Sequence, residues 1–260
     1  MQQTMQVDPS VGRAEVSVYW KPGCSSCLKA KEFIEEQGIA YESINVIEDH
    51  DAMQEVLGAG LRSIPVVRKG NQYIYAQSLD EVAALLGISR NHVRLPHDQL
   101  LERWDSVLDR AKEIIGAFSD ELLERPAIAV RQRSIKEVCS HIFQINEAFL
   151  MSLEDASVDA RALGTDPREN IVTRADLMAY IESVHTRYRR WLSDGGLRKI
   201  PQRMSTYYGE QDSGQVLERA VWHSAQHARQ LDHVAAGLGA ELAIPAELYS
   251  GLPMPKRLWA

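Results

Sequence analysis

Cysteine is scarce in this chain, with 3 among 260 residues. That number cannot build the disulfide framework of a small secreted domain, so any disulfide here is expected to be redox-active rather than structural. No run of about 18 apolar residues exists that could span a bilayer, and mean hydropathy is -0.28. A membrane-spanning protein is therefore excluded as an expectation. Basic charge is not in excess: 29 Lys and Arg stand against 36 Asp and Glu, a net charge of -7. Such a balance gives no drive toward phosphate backbones or anionic lipid, and nucleic acid is not an expected partner. The opening MQQTMQVDPSVGRAE lacks a basic segment followed by an apolar one, so it reads as a short disordered lead-in rather than a secretory signal, and the expected compartment is the cytoplasm. Internal repeats and low-complexity runs are missing too.

What is present divides near residues 88–96. Before that point short apolar runs alternate with helical patterns. Residues 14–20 set Val16, Val18 and Trp20 against Glu15, Ser17 and Tyr19, a strand of period two. A helix is expected over 25–37, stopped by Gly38, then a strand at 41–46 lying parallel to the first. A short helix at 50–58 leads to SIPVVRKGNQYIYA, two strands turning at Gly70-Asn71, and a last helix covers 79–86. The order is β-α-β-α-β-β-α. Beyond the polar segment ISRNHVRLP no strand pattern recurs. Four amphipathic stretches, 97–118, 134–152, 173–193 and 213–238, predict a four-helix bundle, with a long connection at 153–172 that crosses the bundle or forms a lid. The expected domains are 14–88, an α/β unit; 96–240, an all-α unit; and 241–260, a proline-rich extended tail packed on one of them.

Chemistry is concentrated at two places. Cys24-Ser25-Ser26-Cys27 follows a strand directly and opens a helix. A sulfur facing the free N–H groups and positive dipole end of a helix is favoured as thiolate, the attacking species, so Cys24 is the expected nucleophile. Cys27, one turn further in, is placed to resolve a mixed disulfide. Lys21 adds positive charge nearby or binds a substrate carboxylate. The same spacing is half a zinc site, yet two more ligands would be needed and this part offers only His50 and no third cysteine; thiol exchange is the stronger reading.

The second place is VWHSAQHARQLDH, where His223 and His227 are four residues apart and so about 40° apart around a helix. Two neutral imidazoles need a third ligand, and His141, beside Val138, Ile142 and Ile145, is the candidate. Taken singly, His141 reads as a core histidine and the other two as surface residues; together on a bundle they favour a metal site. His233 reads as structural or exposed, His185 as part of a solvated polar face, and Cys139 as a buried small hydrophobe. Arg187, Arg189, Arg190 and Arg198 lie near the C-terminal end of the third stretch, where the dipole favours cations.

VYWKPGCSSCLKAKEFIEEQGIAYE, SIPVV and SLDEV resemble the glutaredoxin branch of the thioredoxin-like fold over residues 14–88. The resemblance implies thiol-disulfide oxidoreductase activity, a cis Pro65 whose preceding Ile64 pairs with a glutathione-like peptide, and a carboxylate site at Ser78, Leu79 and Asp80. Two positions depart from the family pattern: Ala76-Gln77 stands for Gly-Gly, and Ser25-Ser26 for Pro-Tyr. Over 96–240 the chain resembles DinB-like metal-binding four-helix bundles, through Ser134 with His141 and through His223, His227 and Gln230. That resemblance implies a divalent transition metal, zinc or nickel, on His141, His223 and His227. It also implies a thiol-dependent transferase or isomerase. The expected partners are glutathione or another low-molecular-weight thiol, its mixed disulfides and a small electrophilic substrate, and a homodimer is compatible. The rival reading is a non-enzymatic redox sensor or metal-binding module.

Overall fold

A computed structural model describes residues 14–128, 131–239 and 245–260. The lead-in up to residue 13 and residues 241–244 of the tail lie outside the described residues. The chain divides after Asn91 into two compact units, the second running His92–Leu258.

The first unit follows the expected order: β1 (Val16–Trp20), α1 (Ser25–Glu36), β2 (Glu42–Asn45), α2 (His50–Gly58), β3 (Val66–Lys69), β4 (Gln72–Tyr75) and α3 (Leu79–Leu86). The strands form one sheet in the order β2-β1-β3-β4, with β1 and β2 parallel and the other pairs antiparallel. This is a thioredoxin-like arrangement. Each boundary has a local cause. Gly38 ends α1 at φ 67°, and Gly70 turns the hairpin at φ 57°, both in the region where a Cβ is penalised. Asp49 and Ser78 cap α2 and α3 by accepting from Ala52 N and Glu81 N.

Period-two alternation in β1 predicts one apolar and one polar face, and here the structure differs. Ser17 and Tyr19 are as fully buried as Val18. The cause is α2, which covers the second face with Ala52 and Val56 and supplies Glu55 to the Tyr19 hydroxyl. Tyr73 donates to the same carboxylate at 2.7 Å, and Arg68 donates to Ser17 Oγ at 3.0 Å. The buried hydroxyls of Ser17 and Tyr19 thus have hydrogen-bond partners. Burial first, then the Glu55 hydrogen bond, push the Tyr73 hydroxyl up to about 12.

The second unit contains α4 (His97–Gly116), α5 (Asp120–Leu123), β5 (Pro126–Ile128), β6 (Arg131–Ser134), α6 (Ile135–Glu154), α7 (Ala160–Thr165), α8 (Arg174–Ser193), β7 (Arg203–Thr206), β8 (Gly209–Asp212) and α9 (Ser213–Gly237). The four long helices α4, α6, α8 and α9 share one core around Trp104, Phe143, Phe149, Tyr188, Leu217 and Leu231. The absence of strands beyond residue 96 is corrected: β5 pairs with β6, and β7 with β8, as two antiparallel hairpins. RMST and GEQD are short and polar, burying only Met204 and Gln211, so they carry no apolar alternation to read. Each hairpin delivers a helix cap. Ser134 ends β6 and closes a reciprocal capping box with Glu137, while Asp212 ends β8 and accepts from Gln215 N at 3.1 Å.

The 153–172 connection packs on α6. Gln144 Nε2 donates to the Asp166 carbonyl at 2.7 Å, and the Arg168 guanidinium pairs with Glu147. The tail is not extended throughout: Ala246–Tyr249 forms a 3-10 turn that inserts Leu248 into the bundle core. Among the described residues no helix is long and apolar enough to cross a membrane.

Candidate functional site

Cys24 is the N-cap of α1. Gly23, at φ 68°, turns the chain out of β1, and Cys24 Sγ accepts from the Cys27 backbone N–H at 3.2 Å. The two sulfurs are joined as a disulfide. Their accessibility differs: Cys24 is half-buried, whereas Cys27 is fully enclosed. Lys21, also half-buried, lies three residues before Cys24. The third cysteine, Cys139, is buried in the helical unit, and burial pushes its thiol well up, away from reactivity.

The Ile64–Pro65 bond is cis. Val66 pairs with Tyr19 in the sheet, so continuing that register sets Pro65 opposite Trp20, four residues before Cys24. Ser78 caps α3, and Leu79 and Asp80 form its first turn. The Ser78 hydroxyl accepts from Glu81 N at 3.3 Å, the Asp80 carboxylate pairs with Arg90, and Asp80 and Glu81 both place negative charge in the first turn.

In the helical unit α6 and α9 bring His141, His223 and His227 together, with one ligand atom of each lying within 4.8 Å of the others. His227 Nε2 is 3.3 Å from His223 Nε2. A relay fixes the His227 ring. Gln230 Nε2 donates to the Leu258 carbonyl at 2.8 Å, which leaves Gln230 Oε1 to accept from His227 Nδ1–H at 2.7 Å. The proton is therefore on Nδ1, and the Nε2 lone pair faces the cluster. Burial, and then the charges of His227, Arg219, His141 and Arg133, hold the His223 imidazole well below its ordinary pKa, in the neutral form that ligates. Three converging imidazole nitrogens with an ordered tautomer fit a divalent transition metal.

His185 corrects its reading as part of a solvated face, because it is buried and its Nε2 meets Asp105 Oδ1 at 2.8 Å. Asp109 lies 3.8 Å from the other ring nitrogen, and Arg189 bridges both carboxylates. With Arg189 pairing to both carboxylates, the cluster forms an ion-pair network across α4 and α8. Burial raises the Asp105 carboxyl, and hydrogen bonds from Arg189 and His185 outweigh it to hold the group below the usual range. Stabilisation from a lowered carboxyl pKa is present above the unfolded value of about 3.9 and lost as pH falls through the folded value. Asp105→Asn is expected to cost about 1–3 kcal/mol at neutral pH, with the difference from wild type closing below about pH 4. Urea unfolding at several pH values measures this, and a pH-independent difference would contradict it.

The DinB superfamily profile matches residues 99–231, just over half the chain, and the glutaredoxin profile matches residues 16–74. The chain belongs to the DinB superfamily and carries a glutaredoxin domain. The glutaredoxin-like protein NrdH of Lactococcus lactis subsp. lactis is 35% identical over 54 residues, covering 21% of this chain and 75% of that protein. An N-acetyl-S-hydroxy-L-cysteine reductase of Bacillus subtilis is 36% identical over 62 residues, 22% of this chain and 66% of that protein. YfiT from Bacillus subtilis, described as a probable metal-dependent hydrolase with an unusual four-helix bundle topology, aligns with TM-score 0.44 and 16% identity, over 58% of this chain and 94% of that one. The glutaredoxin domain is a thiol-redox domain, and the DinB domain is a helical bundle with a histidine cluster able to hold a metal.

Proposed function

We propose that this protein is a thiol-disulfide oxidoreductase fused to a divalent-metal-dependent transferase or isomerase. The observation that carries the first half is the graded exposure of a dithiol at a helix start. Cys24 thiolate attacks the accessible sulfur of a mixed disulfide, one thiol leaves, and a new disulfide joins Cys24 to the remaining thiol. Cys27 then attacks Cys24 Sγ, releasing the second thiol and leaving the Cys24–Cys27 disulfide seen here. The dithiol loses two electrons and two protons; the substrate disulfide gains them. Lys21 adds positive charge beside the thiolate. The substrate class is a low-molecular-weight thiol in mixed-disulfide form.

His141, His223 and His227 are the residues that would hold the metal, and Gln230 positions His227 through Nδ1. Three protein ligands leave room for a further one, the pattern of a catalytic rather than a structural site. A bound divalent metal would supply a Lewis acid that acidifies a thiol presented to a small electrophile. Both halves would then handle the same kind of thiol. Gln230→Ala is expected to weaken metal binding 10- to 100-fold, because the ring loses the partner that fixes its tautomer. Competition with a chromogenic chelator measures the affinity, and an unchanged value removes Gln230 from the site. For the dithiol, reduction of bis(2-hydroxyethyl) disulfide under steady-state supply of a dithiol reductant is the test. Turnover is expected; a single stoichiometric oxidation would instead describe a sensor.

A further inference from the structure

Leu248 and Leu252 are seated in the bundle core, and beyond them the segment Pro255–Leu258 runs against α9. Three side chains on one face of that helix, Gln226, Arg229 and Gln230, hold the segment by donating to its main-chain carbonyls. Arg229 Nη2 donates to the Pro255 carbonyl at 2.9 Å and to that of Arg257 at 2.8 Å. Gln226 Nε2 donates to the Arg257 carbonyl at 3.3 Å and to that of Leu258 at 2.8 Å. Gln226 is fully buried, and its Oε1 has no hydrogen-bond partner among the described residues. The hydrogen bonds of this amide therefore go to the segment alone.

The Leu258 carbonyl also accepts from Gln230 Nε2 at 2.8 Å, and Gln230 Oε1 lies 2.7 Å from His227 Nδ1. A glutamine amide can be turned end for end, exchanging its donor for its acceptor. With the Leu258 carbonyl in place only one orientation is allowed, because the reverse would set two acceptor oxygens against each other. Nε2 must face the carbonyl, Oε1 must face the ring, and the ring proton must sit on Nδ1. With the carbonyl withdrawn, the amide can turn and donate to Nδ1, which moves the ring proton to Nε2 and removes the lone pair that faces the cluster. We propose that Pro255–Leu258 is a strap that selects the ligating tautomer of His227, and that Gln226 and Arg229 are positioning residues of the metal centre that act through it. This rests on the metal reading above.

The test compares the full-length wild type with Gln226→Leu and Arg229→Met, which keep Gln230 and all three histidines but remove donors to the strap. Zinc affinity is measured by competition with a chromogenic chelator. The position of the His227 ring proton is read in the metal-free protein by nitrogen-15 NMR of labelled histidine. Because outer-shell groups are worth about 10- to 100-fold and these two act one contact further out, each variant should bind zinc about three- to tenfold more weakly. His227 should be protonated on Nδ1 in the wild type and shift toward the Nε2–H form in both variants, with faster amide exchange over residues 256–258. Unchanged affinity and tautomer in both variants overturn the role of the strap while leaving the histidine centre intact. Weaker binding with His227 still protonated on Nδ1 overturns it as well, since the loss would then come from packing around α9. A wild-type protein that takes up no zinc overturns the metal reading itself, and this inference with it.

Discussion

Replacing His141, His223 or His227 by alanine should weaken divalent-metal binding by at least about a hundredfold, and the triple replacement should abolish it. The three side chains come from two helices, α6 and α9, and no single helix holds a complete set. Two remaining imidazoles, whether both on α9 or split between α6 and α9, bind a divalent metal far more weakly than a converging trio. Folding is expected to survive, because the core is built from Trp104, Phe143, Tyr188 and their neighbours and not from the metal. Each variant would therefore show native helicity with metal content reduced. A full equivalent of metal in the triple variant would show that the ligands lie elsewhere.

The second large effect concerns the order of attack at the dithiol. Cys24→Ser should abolish reduction of small disulfides, since the enclosed Cys27 cannot meet the substrate first. Cys27→Ser should keep the first step and accumulate a mixed disulfide on Cys24, because the resolving thiol is gone. Mass spectrometry of the trapped adduct distinguishes the two. Faster alkylation of Cys27 than of Cys24 in the reduced protein would reverse the assignment. Cys139, buried and with its thiol pushed up, should stay unmodified in the folded chain.

Much of this was readable in the sequence, for reasons that can be named residue by residue. Helices α2 and α3 begin and end where Asp49, Ser78 and Gly87 supply caps, so their spans, His50–Gly58 and Leu79–Leu86, agree with the expected 50–58 and 79–86. The bundle helices declare themselves through long apolar stripes, and the histidine cluster through one-turn spacing on α9. What local pattern could not show depends on distant partners. Tyr19 looks half-solvated until α2 brings Glu55 to its hydroxyl. His185 sits in a run of charged residues, and its hydrogen-bond partner Asp105 comes from eighty positions earlier in the chain. The two hairpins escape because their strands, three or four residues long, are too short to show a period. The Gln230 relay ends on a backbone carbonyl, Leu258, which has no sequence signature at all.

The proposed function places two separate chemistries in one chain, a redox dithiol and a histidine metal centre. Native mass spectrometry of the full-length protein, recorded oxidised and reduced, tests it most directly. One divalent metal per chain is expected in both states, with reduction adding only the mass of two hydrogen atoms, mapped to Cys24 and Cys27. Loss of the metal on oxidation of the dithiol would contradict it, because the cysteines and not the histidines would then be holding the ion.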